Sequence, residues 1–161
     1  MISPSILTIT FTGIPDRSAV MNDPVFIDTN GLIALLNADD GLHEAAATLL
    51  RGFGASRRRL IVTDWVVAET GNGLARLPLR RAFVQAVGLL LESPETTLVR
   101  VDDDCFRRAL ATYSAAQDKA WGLVDCASFE VMAQLGIRDA LTSDRHFTQA
   151  GFNCLLAGGS G

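Results

Sequence analysis

Short apolar runs alternate along this chain with helix-length segments, and this alternation constrains the fold more than any other feature. Val25-Phe26-Ile27, opened by Pro24, reads as a short buried strand closed by Asp28-Thr29-Asn30. Leu60-Ile61-Val62, Thr97 to Val101, Ala140-Leu141-Thr142 and Asn153 to Leu156 read as four more strands. Helices are expected over 31–37 and 42–51, from Trp65 to about Arg76, from Pro78 to about Leu91, after Asp102-Asp103-Asp104, and from Leu123 to Leu135. The punctuation agrees: Thr63 and Asp64 are good N-cap types, and Pro78 suits a first helical turn. The acids at 102–104 complement a helix dipole, and Gly136 can end the last helix. Strands alternating with helices predict an α/β fold, a parallel sheet covered on both faces. Ligands of such sheets bind beyond the carboxyl ends of the strands, where Asp28 and Asp144 both fall.

A chain of 161 residues that is 48% hydrophobic is expected to be one domain with a substantial core. No apolar run approaches the roughly 18 residues of a membrane-spanning helix. The stretch Ile6 to Phe11 lacks a basic lead and is broken by threonines, so it is a poor export signal, and a cytoplasmic location is expected. Residues 1–22 read as an extension to a domain spanning 23–157. Ile6 to Phe11 alternates like an edge strand, yet Gly13 and Pro15 detach it, and Met21 is an alternative start. Residues 158–161 read as a tail. Cys105, Cys126 and Cys154 are widely spaced and only two histidines accompany them, which argues for reduced buried thiols over a zinc site.

The net charge of −4 is unusual for a nucleic-acid binder. Were four acids gathered around a divalent metal, the remainder would be formally neutral and the bound ion would reverse the local field. Arginines are grouped at 57–59, at 76, 80 and 81, and at 107–108. Each group could contact phosphates, although solvated helix faces are the commoner use.

Asp28, Glu69, Asp125 and Asp144 are the candidate acids. Each has a plain structural explanation: Asp28 and Asp144 as N-caps, Asp125 as a favourable charge in a first turn, and Glu69 as part of a polar face with Asn72 and Arg76. Their apolar neighbours weigh against that. Val25-Phe26-Ile27 precedes Asp28, Val66-Val67-Ala68 precedes Glu69, and Leu123-Val124 and Cys126-Ala127 flank Asp125. A partly buried carboxylate needs a partner, either an arginine or a shared cation. Carboxylate oxygens plus water are what Mg2+ or Mn2+ requires. Such an ion activates water and steadies a phosphodiester undergoing hydrolysis, with no histidine or cysteine nucleophile.

Four stretches carry a specific resemblance: Val25 to Asn30, Val67-Ala68-Glu69-Thr70, Trp121 to Phe129, and Leu141 to Phe147, the last followed by Ala150-Gly151-Phe152. In this order they resemble the acidic motifs of PIN-domain proteins, and most of all the VapC-like toxins of type II toxin–antitoxin systems, over roughly residues 24–156. The resemblance implies a three-layer sandwich with a central parallel sheet. It also implies a Mg2+ or Mn2+ pocket, endonucleolytic cleavage of RNA leaving a 5′-phosphate and a 3′-hydroxyl, frequent homodimers, and often a cognate antitoxin. By matching motif, Asp28 and Asp125 would be the main ligands. Asp144 would complete the pocket directly or through water, and Glu69 would bind a second ion or orient water. Thr29, Asn30, Ser128 and Thr142 are candidate hydrogen-bonding supports. Arg145 and His146 are candidates to touch the scissile phosphate, with capping or packing the plainer reading of His146. Ser143 stands where many relatives carry a bulkier residue, and residues 1–22 have no counterpart in the pattern.

Other chemistries fit less well. Cys126 with His146 could form a thiol nucleophile, but Asp125 beside it would raise the thiol pKa. An aspartate-based phosphatase needs a second aspartate where Asn30 stands, and a receiver-type acidic pocket needs a late lysine that this chain lacks. A catalytically weak member of the fold, binding RNA or protein, is the remaining alternative. Trp65 and Trp121 read as core.

Overall fold

The structure, a computed structural model, describes residues 23–157 apart from Leu77. The expectations for residues 1–22 and 158–161 lie outside the described residues. Five strands form one sheet: β1 (Val25–Ile27), β2 (Leu60–Thr63), β3 (Thr96–Val99), β4 (Asp139–Leu141) and β5 (Asn153–Cys154). All pairings are parallel, in the order β3-β2-β1-β4-β5. β1 and β2 are buried at every position, as continuous apolar strands must be when both faces are covered.

The helices are α1 (Thr29–Leu36), α2 (His43–Ala55), α3 (Asp64–Gly73), α4 (Leu79–Glu92), α5 (Asp103–Ala115), α6 (Leu123–Leu135) and α7 (Arg145–Gln149). The chain steps outward from β1 to β2 to β3, then returns across the sheet to β4 and β5. With right-handed crossovers, this reversal puts α1–α4 on one face and α5–α7 on the other. The packing follows this division, α1 lying against α2, α3 and α4 and α6 against α5 and α7, while α3 also reaches α6.

Strand order reverses at the seam between β1 and β4, and in sheets of this kind the crevice beyond such a reversal is where ligands bind. The register pairs Ile27 with Leu141, so Asp28 emerges beside Thr142. Gly31 permits α1 to pack tightly here, since a Cβ at that position would meet the Leu141 carbonyl oxygen at 2.0 Å. Behind the crevice, Phe129 of α6 meets Phe147 of α7 edge-on at 5.0 Å and Trp121 at 5.1 Å, while Phe26 lies 6.2 Å from Phe147. These rings fix the helices that carry the remaining acids.

Most boundaries shift by a residue or two, and three differences are larger. The third helix stops at Gly73 rather than near Arg76, where Leu74 donates back to the Thr70 carbonyl and Gly71 and Gly73 weaken the last turn. The second helix runs on to Ala55. Residues 145–149, read only as a capped segment, form the short α7.

Candidate metal centre

Three aspartates sit at the starts of three neighbouring helices, two as N-caps and one in the first turn. Asp28 caps α1, accepting the Asn30 amide at 3.4 Å. Asp125 accepts the Gly122 amide at 2.8 Å at the start of α6. Asp144 caps α7, accepting the His146 amide at 2.9 Å. The plain reading of these acids is therefore correct, and it does not exhaust them. Among the described residues, Asp125 engages protein only through Oδ2 and Asp144 only through Oδ1, so each has a second oxygen free.

Asp28 is 3% exposed, and burial pushes its carboxyl up to about 6 despite hydrogen bonds from Thr142 and the amides of Thr29 and Asn30; the charge of Asp125 raises it further. The Thr142 hydroxyl donates to Asp28 Oδ2 at 2.9 Å and accepts the Asp144 amide at 3.0 Å. One buried side chain thus connects the acid after β1 with the acid after β4.

His146 stands between the other two. Its Nδ1 lies 3.0 Å from Asp125 Oδ2 and 3.5 Å from Asp144 Oδ1, with the ring 19% exposed. Asp125, Asp144 and His146 each offer a ligand atom, all within 4.8 Å of one another. Glu69 and Asp28 lie outside that tight set. Glu69 is exposed on α3 and accepts the Thr29 hydroxyl at 2.5 Å, which ties it to the residue after Asp28.

No lysine or arginine among the described residues pairs with Asp28, Glu69, Asp125 or Asp144; the ion pairs to arginine and lysine involve Asp139, Asp64, Glu130 and Asp118 instead. Carboxylates with spare oxygens and no lysine or arginine partner are a donor set suited to a hard divalent cation.

The supporting residues divide. Thr29 and Thr142 hold acids through their hydroxyls. Asn30 contributes its backbone amide while its residue is exposed. Ser128 was expected to support a carboxylate, but its hydroxyl donates to the Val124 carbonyl at 2.9 Å, one helical turn back. Arg145 is exposed at the start of α7. His146 was seen in the sequence mainly as a packing group. The signal that could have raised it is its position in the first turn after Asp144, where a short helix brings its ring back toward the cap.

The arginine groups also divide. Arg58 pairs with Asp139, donates to the Asp23 carbonyl and covers the Phe53 ring at 5.4 Å. These contacts lie where β1 and β4 begin, at the rim opposite the aspartates. Arg108 pairs with Glu130 at 3.5 Å. Arg76, Arg80 and Arg81 are exposed around the turn from α3 to α4, without an ion pair among the described residues. Cys126 is fully buried, and burial followed by the Asp125 charge raises its pKa, so it is no nucleophile. Trp121 packs on Phe129 and donates to Gln149, in keeping with a core role.

The chain matches the PIN domain family over residues 25–153. It is 33% identical over 132 residues to the 23S rRNA-specific endonuclease VapC20 of Mycobacterium tuberculosis, covering 80% of this chain and 95% of that protein. The crystal structure of Mycobacterium tuberculosis VapC20, a sarcin-ricin loop cleaving toxin, matches with a TM-score of 0.69 at 30% identity, over 80% of this chain and 95% of that one. FitAcB from Neisseria gonorrhoeae matches with a TM-score of 0.57 at 17% identity, over 81% of this chain and 95% of that chain, a likeness of fold alone.

Proposed function

This chain belongs to the PIN-domain family, and from that premise we propose that it is a Mg2+- or Mn2+-dependent endoribonuclease, the toxin of a toxin–antitoxin pair acting in the cytoplasm. The observation that carries the reading is the gathering of Asp28, Asp125 and Asp144 at three neighbouring helix starts, with no lysine or arginine among the described residues paired to them. Asp28 and Asp125 would be the principal ligands, Asp144 would complete the set, and Glu69 would take a second ion or orient water. A divalent cation held there supplies a Lewis acid for a phosphodiester oxygen and lowers the pKa of attacking water. Thr142 keeps Asp28 and Asp144 in mutual register, and Thr29 restrains Glu69. Arg145, exposed at the start of α7 next to Asp144, would meet a phosphate.

Relatives that act on 23S rRNA make a structured ribosomal RNA loop the first substrate to test. A groove of about 280 Å³ between α1, α2 and α4, lined by Leu32, Leu35, Leu36, Leu50, Val87 and Leu90, suits the apolar face of an antitoxin helix. No helix among the described residues is long and apolar enough to cross a membrane.

Incubation of the purified chain with 23S rRNA and with short oligoribonucleotides tests the proposal. Cleavage in Mg2+ or Mn2+, abolished by chelation and by Asp125→Asn in a folded protein, supports it. Tight RNA binding without cleavage would support the alternative, a PIN-fold binding module.

A further inference from the structure

We propose that His146 is a nitrogen ligand of this metal centre, which makes it a mixed nitrogen–oxygen site that prefers Mn2+ to Mg2+. The inference rests on the metal-centre reading above and goes beyond its four acids.

The geometry is specific. Nδ1 of His146 lies 3.0 Å from Asp125 Oδ2 and 3.5 Å from Asp144 Oδ1. Two ligand atoms on neighbouring corners of an octahedron with bonds of about 2.1 Å stand about 3.0 Å apart. The spacing across His146 and Asp125 is thus that of one coordination edge, and the wider spacing to Asp144 leaves room for the ion between all three.

The backbone under the ring is fixed. The His146 amide donates to Asp144, its carbonyl accepts the Ala150 amide, and Phe147 beside it is fully buried against Phe129. The imidazole can only turn about its own side-chain bonds, and it faces the two carboxylates. As a mere donor to Asp125 it would duplicate the Gly122 amide, which already reaches the same oxygen at 2.8 Å.

Binding through Nδ1 requires the tautomer protonated at Nε2, which a neutral imidazole reaches without net proton release. Imidazole is a poor ligand for Mg2+ and a better one for first-row transition ions, so the added nitrogen sets the order of preference.

The untagged full chain has only two imidazoles, His43 and His146, so spectroscopy can decide. With Mn2+ alone as probe, pulsed electron paramagnetic resonance should show nitrogen-14 coupling in the wild type and in His43→Ala, and none in His146→Ala. Calorimetry should show the Mn2+-over-Mg2+ affinity ratio falling by about tenfold in His146→Ala, the low end of what losing a supporting residue costs a metal site. Should His146→Ala fail to fold, coupling retained in His43→Ala still assigns the nitrogen. Mn2+ bound without nitrogen coupling would overturn the proposal and leave the four-acid reading intact. Absence of any Mn2+ binding would overturn both.

Discussion

Thr142 fastens Asp28 across the seam between the two central strands, donating its hydroxyl to Oδ2 at 2.9 Å from a residue 114 positions away in the chain. The Thr142 hydroxyl oxygen in turn accepts the Asp144 amide, so the positions of two proposed ligands depend on one buried hydroxyl.

Thr142→Val keeps the shape and removes both bonds. Leaving a buried carboxylate and a buried amide short of a partner should lower stability by about 1–3 kcal/mol. It should also weaken Mn2+ binding by about tenfold, as loss of supporting hydrogen bonds does elsewhere. Thr142→Ser should recover most of both. Thermal melts with and without Mn2+ measure the two effects together.

The raised pKa of Asp28, about 6 where 3.8 is ordinary, makes stability of the metal-free chain depend on pH. Below about 3.8 the group is protonated in both folded and unfolded states and costs nothing. Between there and about 6 the unfolded chain ionises first, so the folded state loses stability as pH rises, by about 3 kcal/mol at most from this group. Asp28→Asn should therefore raise the melting temperature of the metal-free chain at pH 7.5 and leave it nearly unchanged at pH 4. Added Mn2+ should stabilise the wild type more at pH 7.5 than at pH 5. Equal shifts at both pH values would contradict the assignment.

Gly31→Ala should be severe. The added methyl would sit 2.0 Å from the Leu141 carbonyl oxygen, and backbone on both sides must move apart. A loss of about 1–3 kcal/mol is expected, with weaker metal binding because α1 carries its cap, Asp28, away from Thr142. Chemical denaturation of the variant measures the first effect and calorimetry the second.

The arginine groups should separate cleanly. Arg58→Ala removes the Asp139 pair and should lower stability by about 1–3 kcal/mol, while RNA cleavage at a temperature where it is folded stays unchanged. Arg80 and Arg81, exposed and without an ion pair among the described residues, should act the other way. Replacing both with alanine should leave stability alone and reduce the salt slope of RNA binding by about 1.4, for two phosphate contacts on single-stranded RNA.

Sequence located all five strands because most centre on a short apolar run, but their ends shift by one or two residues at β2 to β5. It also placed Asp28 and Asp144 just beyond strands, where the structure has them as helix caps. What it could not show is register. Nothing local says that Ile27 pairs with Leu141, so the Thr142–Asp28 bond was visible only as a residue type. His146 was undervalued for a related reason: a five-residue helix has no periodicity, and the ring's direction depends on Phe147 burying itself behind it. Ser128 was overvalued because a serine inside a helix can satisfy itself on the preceding turn. The basic run at 57–59 left phosphate contact and a solvated face both open, and for Arg58 the structure gives neither: Asp139 and the Asp23 carbonyl are its partners.

The most direct measurement is cleavage of 23S rRNA by the wild type and by folded Asp28→Asn and Asp125→Asn, at fixed Mn2+, with binding of the metal followed in parallel. We expect discrete cleavage by the wild type, and loss of at least a hundredfold in rate together with weakened metal binding in each variant. Undiminished cleavage by either variant, or full metal affinity in both, would contradict a shared ion at the β1–β4 seam.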